Sequence, residues 1–323
     1  MAPTGGKFLS RRLEQLLPGV LSKRYRNLYF DGIVCPTLPD IEVGASELVL
    51  ENIQEVGEAT VLADKATDIP VVDVKAGEDR FRVMMIAAAM GWSFQEMQAL
   101  EKSGDASRIN DRKMRAVYRA IKEKANKIAA YGDPARGFKG MLNHGGITPD
   151  NSSFNPYTST PDELAEFFIE EVGKVVDAVE GADIPGDVLV SLNLKTRLAS
   201  TRMTDGGVSV LRYILDNADY ITSITGVPEC GFARLEANGV LTAGTNKDRI
   251  MLYPMERVPA DADPDNLPSP EVVERHIAPL AQAPEEYWER RDMRTIVPMY
   301  ECVSQTFINY PGSCRYIDVV KKP

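Results

Sequence analysis

The chain has 323 residues, of which 44% are hydrophobic and 26% are charged, and its formal net charge is −10. This composition is ordinary for a globular protein with a substantial core, and the length predicts about two domains. No apolar run approaches the roughly 20 residues of a membrane-spanning helix, and no N-terminal segment has the pattern of a signal peptide. The sequence therefore predicts an intracellular protein that is neither disordered nor embedded in a membrane.

The basic residues are concentrated in two places. Residues 1–30 hold six basic residues and one acidic residue, a net charge of +5, although the whole chain is acidic. Residues 108–131 hold eight basic and two acidic residues, a net charge of +6. Charge runs are commonly solvated faces. The alternative is contact with nucleic acid or with acidic neighbouring subunits.

The sequence pattern of the first ninety residues predicts an arm followed by strands. Residues 8–17 fit a short amphipathic helix that Pro18 and Gly19 end, and residues 31–44 predict an extended arm because they are rich in Pro and Gly. Strand-like runs follow at 47–53, 56–62, 69–74 and 80–87. These strands contain few large aromatic residues to build their own core, so we expect them to pack on another chain.

A long helix is predicted over residues 110–131. Apolar residues recur there at three- and four-residue steps, Asn110 or Asp111 can cap the first turn, and Gly132 and Pro134 end the helix. The segment after it has glycines at 132, 137 and 140 with apolar residues between them. Such spacing predicts tight turns or close backbone approaches, so we interpret this segment as a rigid elbow with at least one positive φ.

The rest of the chain predicts an α/β unit and closing strands. Ser93 and Glu96, and likewise Thr160 and Glu163, have the spacing of capping boxes for helices that run to about residues 102 and 179. Strands are predicted at 187–192, 220–224 and 249–253, a helix at 208–217, a loop at 258–270 and a short helix from Ser269 through His276. Further strands are predicted at 295–303, 306–309 and 314–319.

The sequence contains no recognisable catalytic motif. The two histidines, His144 and His276, have no helical partner at metal-binding spacing, so we expect structural or solvated roles. Cys35, Cys230, Cys302 and Cys314 form no Cys-x-x-Cys pair, which predicts buried thiols. The elbow glycines follow a helix, whereas a phosphate loop opens one. We therefore predict no enzymatic activity, no catalytic or cofactor-binding residues, no cofactor and no metal.

Several segments resemble a known family in combination. The helix from Asn110-Asp111 to Tyr131-Gly132, the segment from Gly137 to His144, the segment from Ala63 to Pro70 and the segment from Tyr310 to Asp318 occur in a characteristic order. In that order the chain resembles the major capsid proteins of tailed bacteriophages that have the Hong Kong 97-type fold. The resemblance covers most of the chain, and residues 195–290 match only in pattern.

The resemblance implies an α+β fold with an N-terminal arm, an extended E-loop hairpin, a long spine helix, a P-domain and an α/β A-domain. The implied boundaries are 1–46 for the arm, 47–86 for the E-loop with its flanking strands, 87–159 for the P-domain with the spine helix, 160–290 for the A-domain and 291–323 for returning P-domain strands. The implied function is self-assembly into the pentamers and hexamers of an icosahedral phage head that encloses double-stranded DNA.

The resemblance also implies sites and partners. The E-loop contacts between subunits would involve Ala63, Asp64, Lys65, Thr67, Asp68 and Ile69. The structural turn would comprise Gly132, Gly137, Gly140 and Asn143. From the charge pattern we expect the lumen-facing basic residues to be Arg11, Arg12, Lys23, Arg24 and Arg26 with part of the set Arg112, Arg115, Arg119 and Lys122.

The expected partners are further copies of the chain, packaged DNA held by non-specific contact, a portal protein, a decoration or cement protein and, because the arm begins near Met1, a separate scaffolding protein. Assembly would take place in the host cytoplasm and end in the virion capsid. Some relatives crosslink subunits through Lys and Asn, but spacing indicates no partner for Lys65. The alternative functions are an encapsulin-type compartment that binds a cargo enzyme and, less favoured, a soluble α/β enzyme.

Overall fold

The structure is a computed structural model that describes residues 25–42, 44–56, 73–103, 106–181, 184–204, 206–218, 220–254, 272–282, 287–289 and 294–323. The predicted helix at 8–17, the predicted strand at 56–62 beyond Val56, the predicted loop at 258–270 and the E-loop residues 63–69 lie outside these ranges.

The strands of the described residues are β1 (Thr37–Leu38), β2 (Glu47–Val56), β3 (Asp73–Ser93), β4 (Asp150–Asn151), β5 (Asp187–Ser191), β6 (Ser223–Val227), β7 (Lys247–Tyr253), β8 (Val273–His276), β9 (Ala281–Gln282), β10 (Tyr287–Glu289), β11 (Arg294–Ser304), β12 (Phe307–Ile308) and β13 (Arg315–Val320). The helices are α1 (Phe94–Ser103), α2 (Ala106–Tyr131), α3 (Pro161–Ala178), α4 (Leu192–Ser200), α5 (Val210–Asn217) and α6 (Phe232–Ala237).

The predicted long helix is present as α2, which has 26 residues and is therefore about 39 Å long. It begins at Ala106, so the predicted cap at Asn110 or Asp111 is wrong. Its apolar stripe, including Val117, Ile121 and Ile128, packs on a sheet in which the strand order is β10-β11-β3-β2. The stripe contacts alternate residues of β3 and β11, because side chains on one face of a strand recur every second residue. These contacts bury Met84, Ile86, Met90, Val297, Met299 and Val303.

The strands β2 and β3 form a projecting antiparallel hairpin. Their register runs without interruption from Glu47 paired with Arg82 to Val56 paired with Asp73. The sequence predicted separate strands at 69–74 and 80–87, but β3 is one strand of 21 residues that continues to Ser93. The polar residues 77–79 did not break it, because β2 pairs with one edge of β3 up to Arg82 and β11 pairs with the opposite edge from Val83 onward.

A second sheet, in the order β4-β13-β7-β5-β6, forms the centre of the predicted α/β unit. One face packs against α3, α4 and α5 through residues such as Leu164, Phe168 and Ile214. The opposite face packs against the elbow through Met141 and Leu142. Both predicted capping boxes are present: the Thr160 hydroxyl accepts from the Glu163 amide, and the Ser93 hydroxyl accepts from the Glu96 amide at 3.2 Å.

The structure differs from the sequence-based prediction for the second half of the chain in three respects. The helix predicted through His276 is wrong, because 273–276 form strand β8 between β1 and β12. The helices α4 and α6 were not predicted. The C-terminal region returns to the first strands as expected, since β11 pairs with β3 over eleven residues. Strand β13, however, lies between β7 and β4, in the sheet of the predicted A-domain. The domain boundaries themselves stay a prediction.

Candidate functional site: assembly surfaces and their supports

The elbow after α2 is built from close backbone contacts. Gly132 has a φ of 72° and Gly137 a φ of 77°, so the prediction that this turn contains positive φ is confirmed. Gly140 does not have positive φ but faces Gly132 closely: a Cβ on Gly132 would lie 2.2 Å from the Phe138 carbonyl oxygen, and one on Gly140 would lie 2.3 Å from the Gly132 nitrogen. Only glycine fits either position.

Asn143 closes the same turn with its side chain. Its Oδ1 accepts a hydrogen bond from the Gly140 amide at 2.7 Å, and its Nδ2 donates to the Tyr131 carbonyl at 2.8 Å. The bond to Tyr131 satisfies a carbonyl that the C-terminal end of the helix leaves unpaired, and the bond from Gly140 satisfies an amide of the turn itself. The four predicted residues of the structural turn are therefore brought together in one place.

A buried ion pair joins the elbow to the α/β sheet. Arg249 on β7 donates to both carboxylate oxygens of Asp318 on β13, at 2.7 and 2.8 Å, and to the Leu142 carbonyl at 2.6 Å. Both side chains are nearly inaccessible, with 3% and 2% exposure. The Tyr316 hydroxyl donates to the Met141 carbonyl and accepts from the His144 amide. The direction in which α2 leaves the α/β unit is thus held by fixed polar contacts, which sequence reasoning did not find.

The N-terminal arm enters the described part of the chain beside α2. The Arg119 guanidinium lies 4.3 Å from the centre of the Tyr25 ring and donates to the Arg26 carbonyl at 2.7 Å. Arg26 also forms an ion pair at 3.7 Å with Glu229, which is 1% exposed and binds Arg234 at 2.9 Å. The root of the arm is therefore attached to both α2 and the α/β unit.

A second cluster of charges lies under the arm. Lys122 forms ion pairs with Glu301 at 2.6 Å and Asp31 at 3.4 Å, and the buried Arg275 pairs with Asp31 at 2.6 Å. Burial lowers the pKa of Lys122, but the hydrogen bond to Glu301 and the charge of Asp31 outweigh burial and raise it above its usual value. Two positive and two negative charges balance in this cluster, so Lys122 is neutralised within the chain.

The basic residues predicted to face the lumen therefore differ in their surroundings. Arg112 and Arg115 are exposed on α2, whereas Arg119 and Lys122 are engaged within the subunit. Arg26 is partly exposed and holds Glu229. Arg11, Arg12, Lys23 and Arg24 lie outside the described residues, as do the E-loop residues Ala63, Asp64, Lys65, Thr67, Asp68 and Ile69. Which side of a shell these charges face stays a prediction.

The described residues contain no group that suggests catalysis. In them, no cluster of His, Cys, Asp and Glu could hold a metal ion. All four cysteines are buried free thiols, and burial raises the pKa of Cys230 and raises that of Cys35 to about 11, so neither is a ready nucleophile. His144 lies on the elbow and His276 lies on β8. No helix among the described residues is long and apolar enough to span a membrane.

The comparisons with solved structures identify the fold. The chain is similar to a subunit titled "The capsid of Myoviridae Phage XM1", with a TM-score of 0.75, 14% identity and coverage of 98% of this chain and 100% of that chain. It is also similar to a chain of Mycobacterium phage Adephagia (TM-score 0.60, 11% identity, coverage 100% and 99%). A third similar chain belongs to the mature capsid of bacteriophage PhiM1 (TM-score 0.52, 14% identity, coverage 96% and 92%). The mixed helix-and-sheet fold is thus that of phage capsid subunits.

A sequence profile of the family described as "Major capsid protein" matches residues 57–320. The chain belongs to the major capsid protein family, and it is a structural protein of the phage capsid. A search of curated proteins finds no match.

Proposed function

We propose that the chain self-assembles into the pentamers and hexamers of an icosahedral head of the Hong Kong 97 type, which encloses double-stranded DNA. The observation that carries this proposal is the hairpin of β2 and β3, which projects from a rigid body. In its base the described residues 75–80 are all exposed, and Val49 is 54% exposed, although the strands form an uninterrupted ladder. An isolated hairpin is marginally stable in water, so a neighbouring subunit is the natural cover for it.

The part of the subunit that carries the hairpin is suited to hold the assembly surfaces in fixed relative positions within a shell. Helix α2 lies on β3 and β11, and the elbow is joined to the second sheet by Arg249, Asp318 and Tyr316. A subunit built in this way presents its hairpin, the root of its arm and the exposed face of α2 in constant relative directions. Closed symmetric assemblies need such constancy, because each interface has to repeat with the same geometry.

Packaged DNA is the proposed partner of the basic residues. Arg112 and Arg115 are exposed on α2, and the root of the basic arm is attached to the same helix through Arg119. Lys and Arg side chains bind phosphate without sequence preference, and the affinity falls with salt. The portal, scaffolding and decoration proteins of the head are further proposed partners, with assembly in the host cytoplasm.

Electron microscopy of the purified protein tests this function. We expect large angular shells in which pentamers and hexamers are resolved, and nucleic acid in the particles that form in infected cells. Small shells that hold a protein cargo would instead indicate the encapsulin-type alternative. A protein that remains a small oligomer under all assembly conditions would contradict both. The phage capsids to which the chain is similar favour the first outcome.

A further inference from the structure

Among the described residues, one edge position in the sheet under α2 holds no strand. Strand β3 pairs with β11 from Val83 to Ser93, and it pairs with β2 from Asp73 to Arg82. These partners lie on opposite edges of β3. The Val83 amide faces Ser46 beside β2, whereas Cys302, which is paired with Met85, turns its carbonyl away from β3 to the Ala278 amide, so Met85 turns its own backbone groups away from β11. Beyond Arg82 the edge that β2 occupies continues for about ten residues, and among the described residues no strand lies beside it.

The backbone groups that point to this edge can be assigned. The Val83 amide donates to the Ser46 carbonyl at 2.9 Å, in line with β2, and the Gly91 carbonyl accepts from Lys113 Nζ at 2.8 Å. The register with β11 is continuous between these two residues, so no bulge changes the alternation. Met85, Ala87 and Ala89 therefore point their N–H and C=O groups to the open edge, since alternate residues of a strand bond to the same side.

This edge lacks the features that natural proteins use to block strand addition. Between Val83 and Ser93 the sequence VMMIAAAMGWS contains no charged residue and no proline. Met85 is 60% exposed, and Ala87, Ala89 and Gly91 are exposed as well. A long edge whose own residues include no charge and no proline can recruit another strand, whereas Lys, Pro or a bulge within it would prevent it. Small side chains also let a further backbone approach closely.

We propose that a second copy of this chain adds a β-strand to the edge of β3 at Met85, Ala87 and Ala89, in line with β2. The added strand lies between Ser46 at one end and Lys113 at the other, and its backbone completes the ladder. This inference rests on the proposed assembly into a shell and names one contact that holds the subunits together.

The hairpin of the same chain cannot reach this position. Its ladder has ten pairs and therefore nine steps, so its far end lies about 30 Å from Arg82 and about 33 Å from Val83 at the usual rise of a strand. Residues 57–72 connect the two strands at that far end, and half of these 16 residues span at most about 28 Å. The loop therefore ends short of Val83 even if it folds straight back. A second copy can present its own projecting hairpin or arm from another direction.

Substitutions on the open edge test the proposal. Proline at position 87 removes only an N–H group that points to the open edge. Ala87→Pro should therefore leave the pairing with β11 intact and the subunit folded. It should reduce the yield of assembled particles at least tenfold. Ala89→Lys should act in the same way by placing a charge in the position of the added strand. Ala89→Ser is the matched control, because it keeps the size and neutrality of the edge, and it should assemble like the unmodified chain.

Hydrogen exchange of the unmodified chain gives an independent readout. The amides of Met85, Ala87 and Ala89 should exchange at least tenfold more slowly in assembled particles than in dissociated subunits, while the inward amide of Ile86 changes little. Equal exchange in both states, or normal assembly of both Ala87→Pro and Ala89→Lys, would overturn the inference. A map of the particle that shows residues 1–24 of the same chain in this position would also overturn it. Each of these results is compatible with the formation of shells and would therefore leave the proposed function unaffected. Failure to form any oligomer would contradict both the proposed function and this inference.

Discussion

At the scale of single residues, a substitution of an elbow glycine can be costly for two reasons, a positive φ or a lack of room for a Cβ. The sequence alone does not show which reason applies to which glycine. Gly132 has a positive φ and no room for a Cβ. Gly137 has a positive φ, but open space surrounds the position of a Cβ. Gly140 has no positive φ, but there is no room for a Cβ. We expect Gly137→Ala to cost about 1 kcal/mol of unfolding free energy, because only the backbone is strained. Gly132→Ala and Gly140→Ala should each cost more than about 3 kcal/mol, since backbone atoms would have to move. Chemical denaturation of the three variants measures the order, and a Gly137→Ala loss equal to the other two would contradict it.

The buried pair of Arg249 and Asp318 is a second residue-scale feature. Asp318→Asn leaves the buried guanidinium without a counter-charge, so we expect a loss of about 3–5 kcal/mol in unfolding free energy. The exposed pair of Arg212 and Asp216, at 3.2 Å, is the matched control. Asp216→Asn should change stability by less than about 1 kcal/mol, as surface ion pairs contribute little. Similar losses for both variants, measured by denaturation, would show that the buried pair does not hold the elbow.

The two histidines should respond to pH in opposite directions. Burial lowers the pKa of His276, but its contacts with Glu274 and Asp40 outweigh burial and raise it. The stabilisation is therefore complete below the unfolded pKa of about 6.5 and is lost as the pH rises through the folded pKa. Burial and then Lys139 lower the pKa of His144, so this residue destabilises the fold as the pH falls below about 6.5.

We expect His276→Gln to lower the melting temperature at pH 5.5 more than at pH 8, and His144→Gln to raise it at pH 5.5 relative to its effect at pH 8. Melting curves of both variants across this range test the signs. The double variant should still form particles, because we predict no catalytic role for either side chain. Loss of a defined enzymatic activity in it would contradict the structural role.

At the scale of elements, the hairpin of β2 and β3 exposes apolar surface in the single subunit. Val49 is 54% exposed on β2, although it lies directly opposite Arg80 on β3. We predict that neighbouring chains cover most of the apolar surface of this hairpin. Val49→Asp should then leave the melting temperature of the dissociated subunit within a few degrees and reduce assembly, whereas Val49→Thr should assemble normally. Val49→Asp particles that form at the normal rate would place Val49 outside any subunit contact.

At the scale of the whole molecule, the distribution of charge predicts which part of the subunit contacts the packaged DNA. The chain has a net charge of −10, yet residues 1–30 carry +5, and the root of the arm at Arg26 is attached to the basic helix through Arg119. Reversing the charges of Arg11, Arg12 and Lys23 to Glu should leave empty shells and reduce DNA content, with a deficit that depends on salt. Assembly and nucleic acid content are measured together on purified particles. The control reverses Arg212, which is exposed on α5. If the arm variant forms no shells, the arm charges hold subunits together instead.

The sequence by itself determined the elements whose signals are local. The periodicity of α2, the capping boxes at Ser93 and Thr160, and the need for glycine in the elbow all follow from contacts within a few residues, and the structure contains each of them. The order of these parts was sufficient to indicate a capsid protein. Only the tertiary structure decided the rest, because the partners are distant in the chain. His276 lies on a strand since β1 and β12 pair on either side of 273–276, and Arg249 is held by Asp318, which is 69 residues away. The open edge of β3 likewise exists only because β2 ends its ladder at Arg82, and a register is a property of two strands and not of either sequence.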